Sequence, residues 1–318
     1  MPSNITILSR YLSVTPYLPC NFAEPKIKFQ YSMEEKRFSR EDYPLEILAE
    51  FGLTEEMIYD LPDFVHETIE RGGKSPLLPI SIEQPFGVTR GYAKFSLIDT
   101  DEGIDVMFYP KLKQVNLAAF TEEQKSALLD GKVIIADVDD PIITDEGVED
   151  MQRIKAFVQL DKDTNGVIYT PTQAIGRNIN AVANEYDLLG EDLQRFWDGD
   201  LVTIYEPTDE GGQDPVTIGV DLFMDTGVIV VPGTAEQWES TVRRTMPKYS
   251  FGTDGCWVNH DGRLSYVPED SFTKDILDEL ERLAKKHGMV LQEPSTSQEQ
   301  HHTAQEAESK EEQRQLAR

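Results

Sequence analysis

The chain has 318 residues, of which 39% are hydrophobic, and 58 acidic against 30 basic residues give it a formal net charge of −28 at pH 7. Such an acidic surface repels phosphate backbones and anionic membranes, so direct nucleic-acid or membrane binding is not expected. With two cysteines and no stretch of roughly twenty apolar residues that would span a bilayer, the sequence predicts a cytoplasmic protein without a disulfide framework.

Composition divides the chain into five segments, which are residues 1–32, 33–120, 121–270, 271–290 and 291–318. The first lacks a clear apolar period and is predicted to be a weakly ordered leader. The second begins with three short helices, punctuated by Gly52 and Pro62, and ends in a first helix-and-strand unit. The third holds two further units and a terminal hairpin, the fourth an amphipathic helix, and the fifth a disordered tail.

One pattern recurs along the chain: a helix, a glycine, a strand, a loop, a strand, an acidic turn and a last strand. The glycines after the helices are Gly73, Gly131 and Gly199, where a left-handed residue would close the helix. Each acidic turn ends in a glycine that would supply a positive φ, and a proline ends the strand after it. These turn glycines are Gly103, Gly166, Gly227 and Gly262.

The pattern predicts an α+β fold. We expect repeated units of a helix plus an antiparallel β-hairpin, forming one or two mixed layers, with a short N-terminal helical segment and a shortened fourth unit. Two helix starts carry the spacing of a capping box, Thr121 with Gln124 and Thr234 with Gln237. Thr172 is the predicted cap of a further helix.

The stretch LDKDTNGVIYTP resembles a calcium-binding loop. Asp161, Asp163 and Asn165 stand at loop positions one, three and five, and Gly166 follows at the sharp turn. Position twelve, however, is Thr172, where the ion needs a bidentate glutamate. The residues before the loop alternate apolar and polar, which indicates a strand where the calcium motif needs a helix. The stretch is therefore predicted to be a hairpin turn, and no metal site is predicted.

Three other short segments suggest chemistry. GGKS, residues 72–75, resembles the end of a phosphate-binding loop but follows a helix instead of a strand, so it is interpreted as a helix cap. DVDD, residues 137–140, is interpreted as an acidic loop between strands. Gly176, Arg177 and Asn178 form the candidate interaction site, because they are placed where a helix opens and its N-terminus favours anions; a fold-supporting role for Arg177 is the alternative. No catalytic residue and no cofactor are predicted.

Several longer phrases together resemble a family of proteins of unknown function carried by bacterial conjugative transposons. The phrases span residues 33–270 and include MEEKRFSREDYPLEILAEFGLTEEMIYDLP, GGKSPLLP, DVMFYPKL, LLDGKVIIADV, KAFVQLD, PTQAIGRNI, VTIGVD, GCWV and LSYVPED. The resemblance implies an accessory of a mobile element, encoded near topoisomerase and transfer genes, and it brings no catalytic residues with it.

The sequence is compatible with three functions. The favoured one is a non-enzymatic cytoplasmic accessory protein whose sheet edges or acidic face bind a protein partner. The second is an acidic decoy that mimics nucleic acid and occupies a basic DNA-binding protein. The third is an enzyme with carboxylates in a cleft.

Overall fold

The computed structural model describes residues 36–143, 149–207 and 211–287. The predicted leader, residues 1–32, and the predicted tail, residues 291–318, lie outside the described residues. Among the helices of the described part, none is both long and apolar enough to cross a membrane.

The described residues form α-helices and strands in an α+β fold. The helices are α1 (Leu45–Glu50), α2 (Glu55–Tyr59), α3 (Asp63–Glu70), α4 (Glu122–Leu129), α5 (Thr172–Glu185), α6 (Gly190–Trp197), α7 (Trp238–Val242) and α8 (Lys274–His287). The strands are β1 (Leu78–Gln84), β2 (Gly87–Thr100), β3 (Gly103–Pro110), β4 (Ile134–Ile143), β5 (Glu149–Asp161), β6 (Gly166–Pro171), β7 (Val202–Pro207), β8 (Gln213–Val220), β9 (Val228–Pro232), β10 (Tyr249–Phe251), β11 (Gly255–His260) and β12 (Arg263–Pro268). The predicted α+β class is confirmed.

In the described residues the strands pair into four separate three-stranded antiparallel sheets, each with its strands in chain order. Helices α1 to α3 precede the first sheet, α4 the second, α5 and α6 the third, and α7 the fourth. The repeated unit is therefore a helix followed by a three-stranded meander. In the fourth unit the sequence predicted only a hairpin, and the structure adds the short strand β10 to it.

The four turn glycines all lie at the connection between the second and third strands of a sheet. Gly103, Gly227 and Gly262 have φ values of 121°, 70° and 86°. At the second sheet the expectation was wrong in one detail, because Asn165, with φ of 58°, takes the left-handed conformation and Gly166 does not. Asparagine tolerates this conformation better than most residues with a side chain. The third strands end at Pro110, Pro171, Pro232 and Pro268.

Helix ends follow the sequence signals with two corrections. The first helix-closing glycine in left-handed geometry is Gly72, with φ of 82°, and not the predicted Gly73. The capping box of α4 is present, since Thr121 and Gln124 exchange hydrogen bonds of 3.0 and 3.3 Å. Helix α5 is capped by Pro171, and Thr172 is its first residue instead of its cap. Proline suits this boundary because it has no N–H that needs a partner.

Within the part of the chain that the structure describes, apolar side chains gather in three clusters. The largest joins α1 to α3 with the first and fourth sheets and contains the fully buried Phe108 and Trp257. The next joins the second and third sheets with α5 and α6 around Phe157 and Phe196, and the last packs Leu128 of α4 on the second sheet. Because two clusters each draw on two sheets, the units bury apolar surface against one another.

By contacts the chain separates into two compact units, Met1–Asp270 and Ser271–Arg318. All four sheets belong to the first. The described part of the second contains α8, whose surface carries an ion pair between Arg282 and Glu279 at 2.6 Å.

Candidate functional site

The GGKS segment is more than a helix cap, because it directs Lys74 into the interior of the first unit. A side chain at Gly72 would place its Cβ 2.5 Å from the carboxyl carbon of Asp225, so the loop packs directly on a second loop, residues 221–227. The Lys74 amine lies 4.2 Å from the ring centre of Tyr109 and donates to the carbonyl of Leu222 at 3.5 Å.

Three cationic side chains converge on one aromatic ring in the 221–227 loop. The distances to the Phe223 ring centre are 5.2 Å from Lys74, 5.0 Å from Lys94 and 4.0 Å from the Arg243 guanidinium. A ring face attracts cations through its quadrupole, more strongly where water is excluded. We call these groups and their carboxylates the Phe223 cluster: Lys74, Lys94, Asp161, Asp221, Phe223 and Arg243.

The calcium-like loop belongs to this cluster. Its first two carboxylates bind the ammonium of Lys94, Asp161 at 3.0 Å and Asp163 at 2.7 Å. Burial would raise the pKa of Asp161, but the charge and hydrogen bond of Lys94 lower it below its usual value. A lysine therefore stands where the motif would hold an ion. Among the described residues, no group of three or more His, Cys, Asp or Glu side chains is arranged to hold a metal.

Arg243 forms the second ion pair of the cluster. Its two terminal nitrogens donate to the two oxygens of Asp221 at 2.8 and 2.5 Å, and Asp221 is fully buried. Asp221 also accepts from the backbone N–H of Phe223 at 3.1 Å, while Gln159 of β5 accepts from Leu222 at 2.8 Å. A bidentate arginine pair combines two charge-assisted hydrogen bonds with a fixed geometry. These bonds hold the 221–227 loop in place.

Lys74 differs from the other two cations, since it makes no ion pair within the described residues. Burial lowers its pKa to about 7; Asp161 and Asp221 raise that pKa, and Lys94 and Arg243 lower it further. Burial raises the pKa of the neighbouring Tyr109 to about 12, so the phenol stays neutral. Chemically, the cluster can exchange a proton at Lys74 close to neutral pH. Structurally, its contacts connect residues in or next to the first three sheets with Arg243, which follows α7.

One of the three candidate interaction residues, Asn178, contacts the same loop. Asn178 donates to the carbonyl of Thr226 at 2.8 Å, and a Cβ at Gly176 would lie 3.0 Å from the Trp197 ring. Arg177 is exposed on the helix between them. Because α5 begins at Thr172, these residues lie in its second turn, beyond the N–H groups that an anion would contact. The expectation that they open the helix was wrong.

The DVDD segment is part of strand β4 and not a loop between strands. Asp140 is fully buried and accepts from the hydroxyl of Tyr169 at 2.8 Å. Asp139 is exposed and pairs with Arg153 of β5 at 3.0 Å. The alternation of buried and exposed carboxylates follows from the period-two geometry of a strand.

Exposed apolar side chains mark the first hairpin of each of the first three sheets, a feature that the sequence analysis missed. Phe86 is fully exposed in the β1–β2 turn, and Val88 is half exposed. In the second sheet Met151 is 57% exposed, and in the third Tyr205 is 60% exposed. In the first sheet every residue from 83 to 91 is exposed, so this hairpin projects from the core. We call the three together the first hairpins.

Comparison of the chain with protein-family models, curated proteins and solved structures finds no match. The resemblance to the conjugative-transposon family stays a prediction.

Proposed function

We propose that the protein is a non-enzymatic cytoplasmic accessory that binds another protein through its first hairpins. Phe86, Met151 and Tyr205 carry the proposal, since each is a large, exposed apolar side chain in the first hairpin of its unit. Aromatic residues and methionine are enriched at protein interfaces. The resemblance to proteins of conjugative transposons supports a role beside the transfer machinery of a mobile element.

The three hairpins differ in what surrounds the apolar side chain. Arg90 and Glu83 flank Phe86 on the first hairpin, whereas the second carries exposed carboxylates at Asp137 and Asp139. Aromatic anchors contribute most where they enter a pocket and lose water, and exposed charges mainly set orientation and association rate. Phe86 is therefore the expected anchor of the complex.

Site-specific photo-crosslinking tests the proposal. A photoreactive phenylalanine analogue is placed at Phe86 in one variant and at Leu189 in another, because Leu189 is 77% exposed and lies in the connection between α5 and α6, outside the three hairpins. We expect a discrete crosslinked protein from position 86 alone, in cells of the native host. Equal products from both positions, or none from position 86, would count against binding through the hairpin.

The net charge of −28 favours a second candidate, the acidic decoy. A decoy presents carboxylates where its target expects phosphates, so its complex would weaken steeply with salt and would be displaced by duplex DNA. Binding by an apolar anchor is only weakly screened. A salt titration of the purified complex, with competing duplex DNA, separates the two functions.

A further inference from the structure

A cleft of about 460 Å³ lies beside the β1–β2 ribbon of the first unit. Its apolar lining includes Met57 of α2, Pro79 of β1 and Tyr92 of β2, and its polar lining includes Ser81 and Arg90. The volume lies within the range of about 300–1,000 Å³ that is typical of small-molecule sites.

The polar groups of the cleft share one face of the ribbon. Ser81 lies directly opposite Arg90, and Pro79 directly opposite Tyr92, in the antiparallel register. Because side chains alternate between the two faces of a strand, Arg90 and Tyr92 lie on the same side, with Ser81 and Pro79 beside them. A guanidinium and a hydroxyl therefore stand together next to an apolar wall.

Neither polar group has a protein partner in the part of the chain that the structure describes. The backbone N–H of Ser81 donates to the carbonyl of Phe51 at 2.8 Å, but the Ser81 hydroxyl and the Arg90 guanidinium make no hydrogen bond or ion pair. This is unexpected for Arg90, because the chain has 58 acidic residues for 30 basic ones. Arg37, Arg40 and Arg243, by contrast, each pair with a carboxylate.

Gly52 contributes to the shape of the same cleft. Its φ is 75°, and a Cβ there would lie 2.1 Å from the Ser81 hydroxyl oxygen. A larger residue at this position would therefore displace the hydroxyl or the loop that carries Gly52. The glycine leaves room for the hydroxyl at the wall of the cleft.

We propose that this cleft binds a small organic carboxylate with an apolar body. The carboxylate lies against Arg90 and Ser81, since a guanidinium fork matches a carboxylate and a hydroxyl supplies one more donor. The apolar body contacts Met57, Pro79 and Tyr92. Arg90 belongs both to this cleft and to the first hairpin of the proposed protein interface, but the ligand here is a free small acid, so its binding is tested without a protein partner.

Ligand-observed NMR titration of the full chain tests the site with two matched probes, 3-phenylpropionate and its uncharged amide. We expect the acid to bind at least tenfold more tightly than the amide. Arg90→Gln should remove this difference. Arg153→Gln, the same change on the exposed first hairpin of the second sheet, should leave it intact.

Three results would overturn the proposal: no binding of the acid, equal affinity for acid and amide, or unchanged affinity in Arg90→Gln. Arg90 is exposed, so its replacement is not expected to unfold the protein, and an unchanged melting temperature verifies this. Ser81→Ala provides a second variant, expected to weaken the acid about threefold or more while the amide changes less, since a hydrogen bond to a charged group is stronger than one to a neutral group. Equal losses for the two probes would remove Ser81 from the site.

Discussion

Replacing Lys74 by methionine should remove a rise in the free energy of unfolding that the wild-type protein shows as the pH increases above 7. In the folded protein burial lowers the pKa of Lys74 to about 7, from an ordinary value of 10.5. Between these two values the unfolded chain holds a proton on this amine that the folded chain has released. Stability therefore rises with pH across this window, and below pH 7 the folded protein carries the full cost of a buried ammonium.

The linkage sets an upper limit on the size of the effect. One pH unit corresponds to about 1.36 kcal/mol, so two units above the folded pKa allow at most about 2.7 kcal/mol between pH 7 and pH 9. Since Lys74 keeps some contact with water, we expect about 1–2 kcal/mol. Methionine has a similar length and no charge, so it keeps the contacts with the rings of Tyr109 and Phe223.

Urea denaturation at pH 6, 7, 8 and 9 measures this contribution as the difference between wild type and Lys74→Met. The gap should favour the variant at pH 6 and shrink or reverse by pH 9. Lys113→Met, at an exposed position, serves as the control for the loss of one amine and should run parallel to wild type. If the Lys74→Met and wild-type curves are parallel over the whole range, Lys74 does not titrate as argued.

Four further outcomes are expected. Asp161→Ala should lower the free energy of unfolding by about 3–5 kcal/mol, because it removes the buried carboxylate that pairs with the buried ammonium of Lys94. Asp163→Ala, at an exposed carboxylate, should cost less than about 1 kcal/mol by urea denaturation. Millimolar calcium should not shift the melting temperature, and a rise abolished by Asp161→Ala would contradict the hairpin interpretation. Phe108→Ala should cost about 3–5 kcal/mol because Phe108 is fully buried. A chain trimmed to residues 33–288 should melt within a few degrees of the full chain, and a larger fall would show that a removed segment docks.

Structural features that depend on residues close together in the chain could be predicted from the sequence. The capping box of Thr121 and Gln124 and the strand-ending prolines depend on contacts within a few positions, so spacing alone predicts them. Such signals did not show that Asn165, and not Gly166, takes the left-handed conformation. Both residues tolerate a hairpin turn, and in the structure the left-handed residue is Asn165, the last residue between the paired Asp161 and Gly166. Strand β10 was missed because three residues are too few to show a period.

The Phe223 cluster was not predictable from spacing. Lys74 precedes the first sheet and Phe223 lies in the third repeat, and nothing near either residue in the sequence indicates the other. The calcium-like loop is a second example. Its sequence shows carboxylates that suit a cation, but it does not show that this cation is Lys94 of another sheet. The sequence does not predict the exposure of Phe86 either, because an apolar residue next to a turn is compatible with a buried strand as well as with a projecting hairpin.

Phe86 is the proposed anchor through which the first hairpins bind a protein. The most direct measurement is the dissociation constant of the purified partner, once captured, for wild type, Phe86→Ala and Leu189→Ala. We predict at least a tenfold weaker complex for Phe86→Ala, about 1.4 kcal/mol or more, and no more than a twofold change for Leu189→Ala. An unchanged dissociation constant for Phe86→Ala would show that Phe86 is not the anchor.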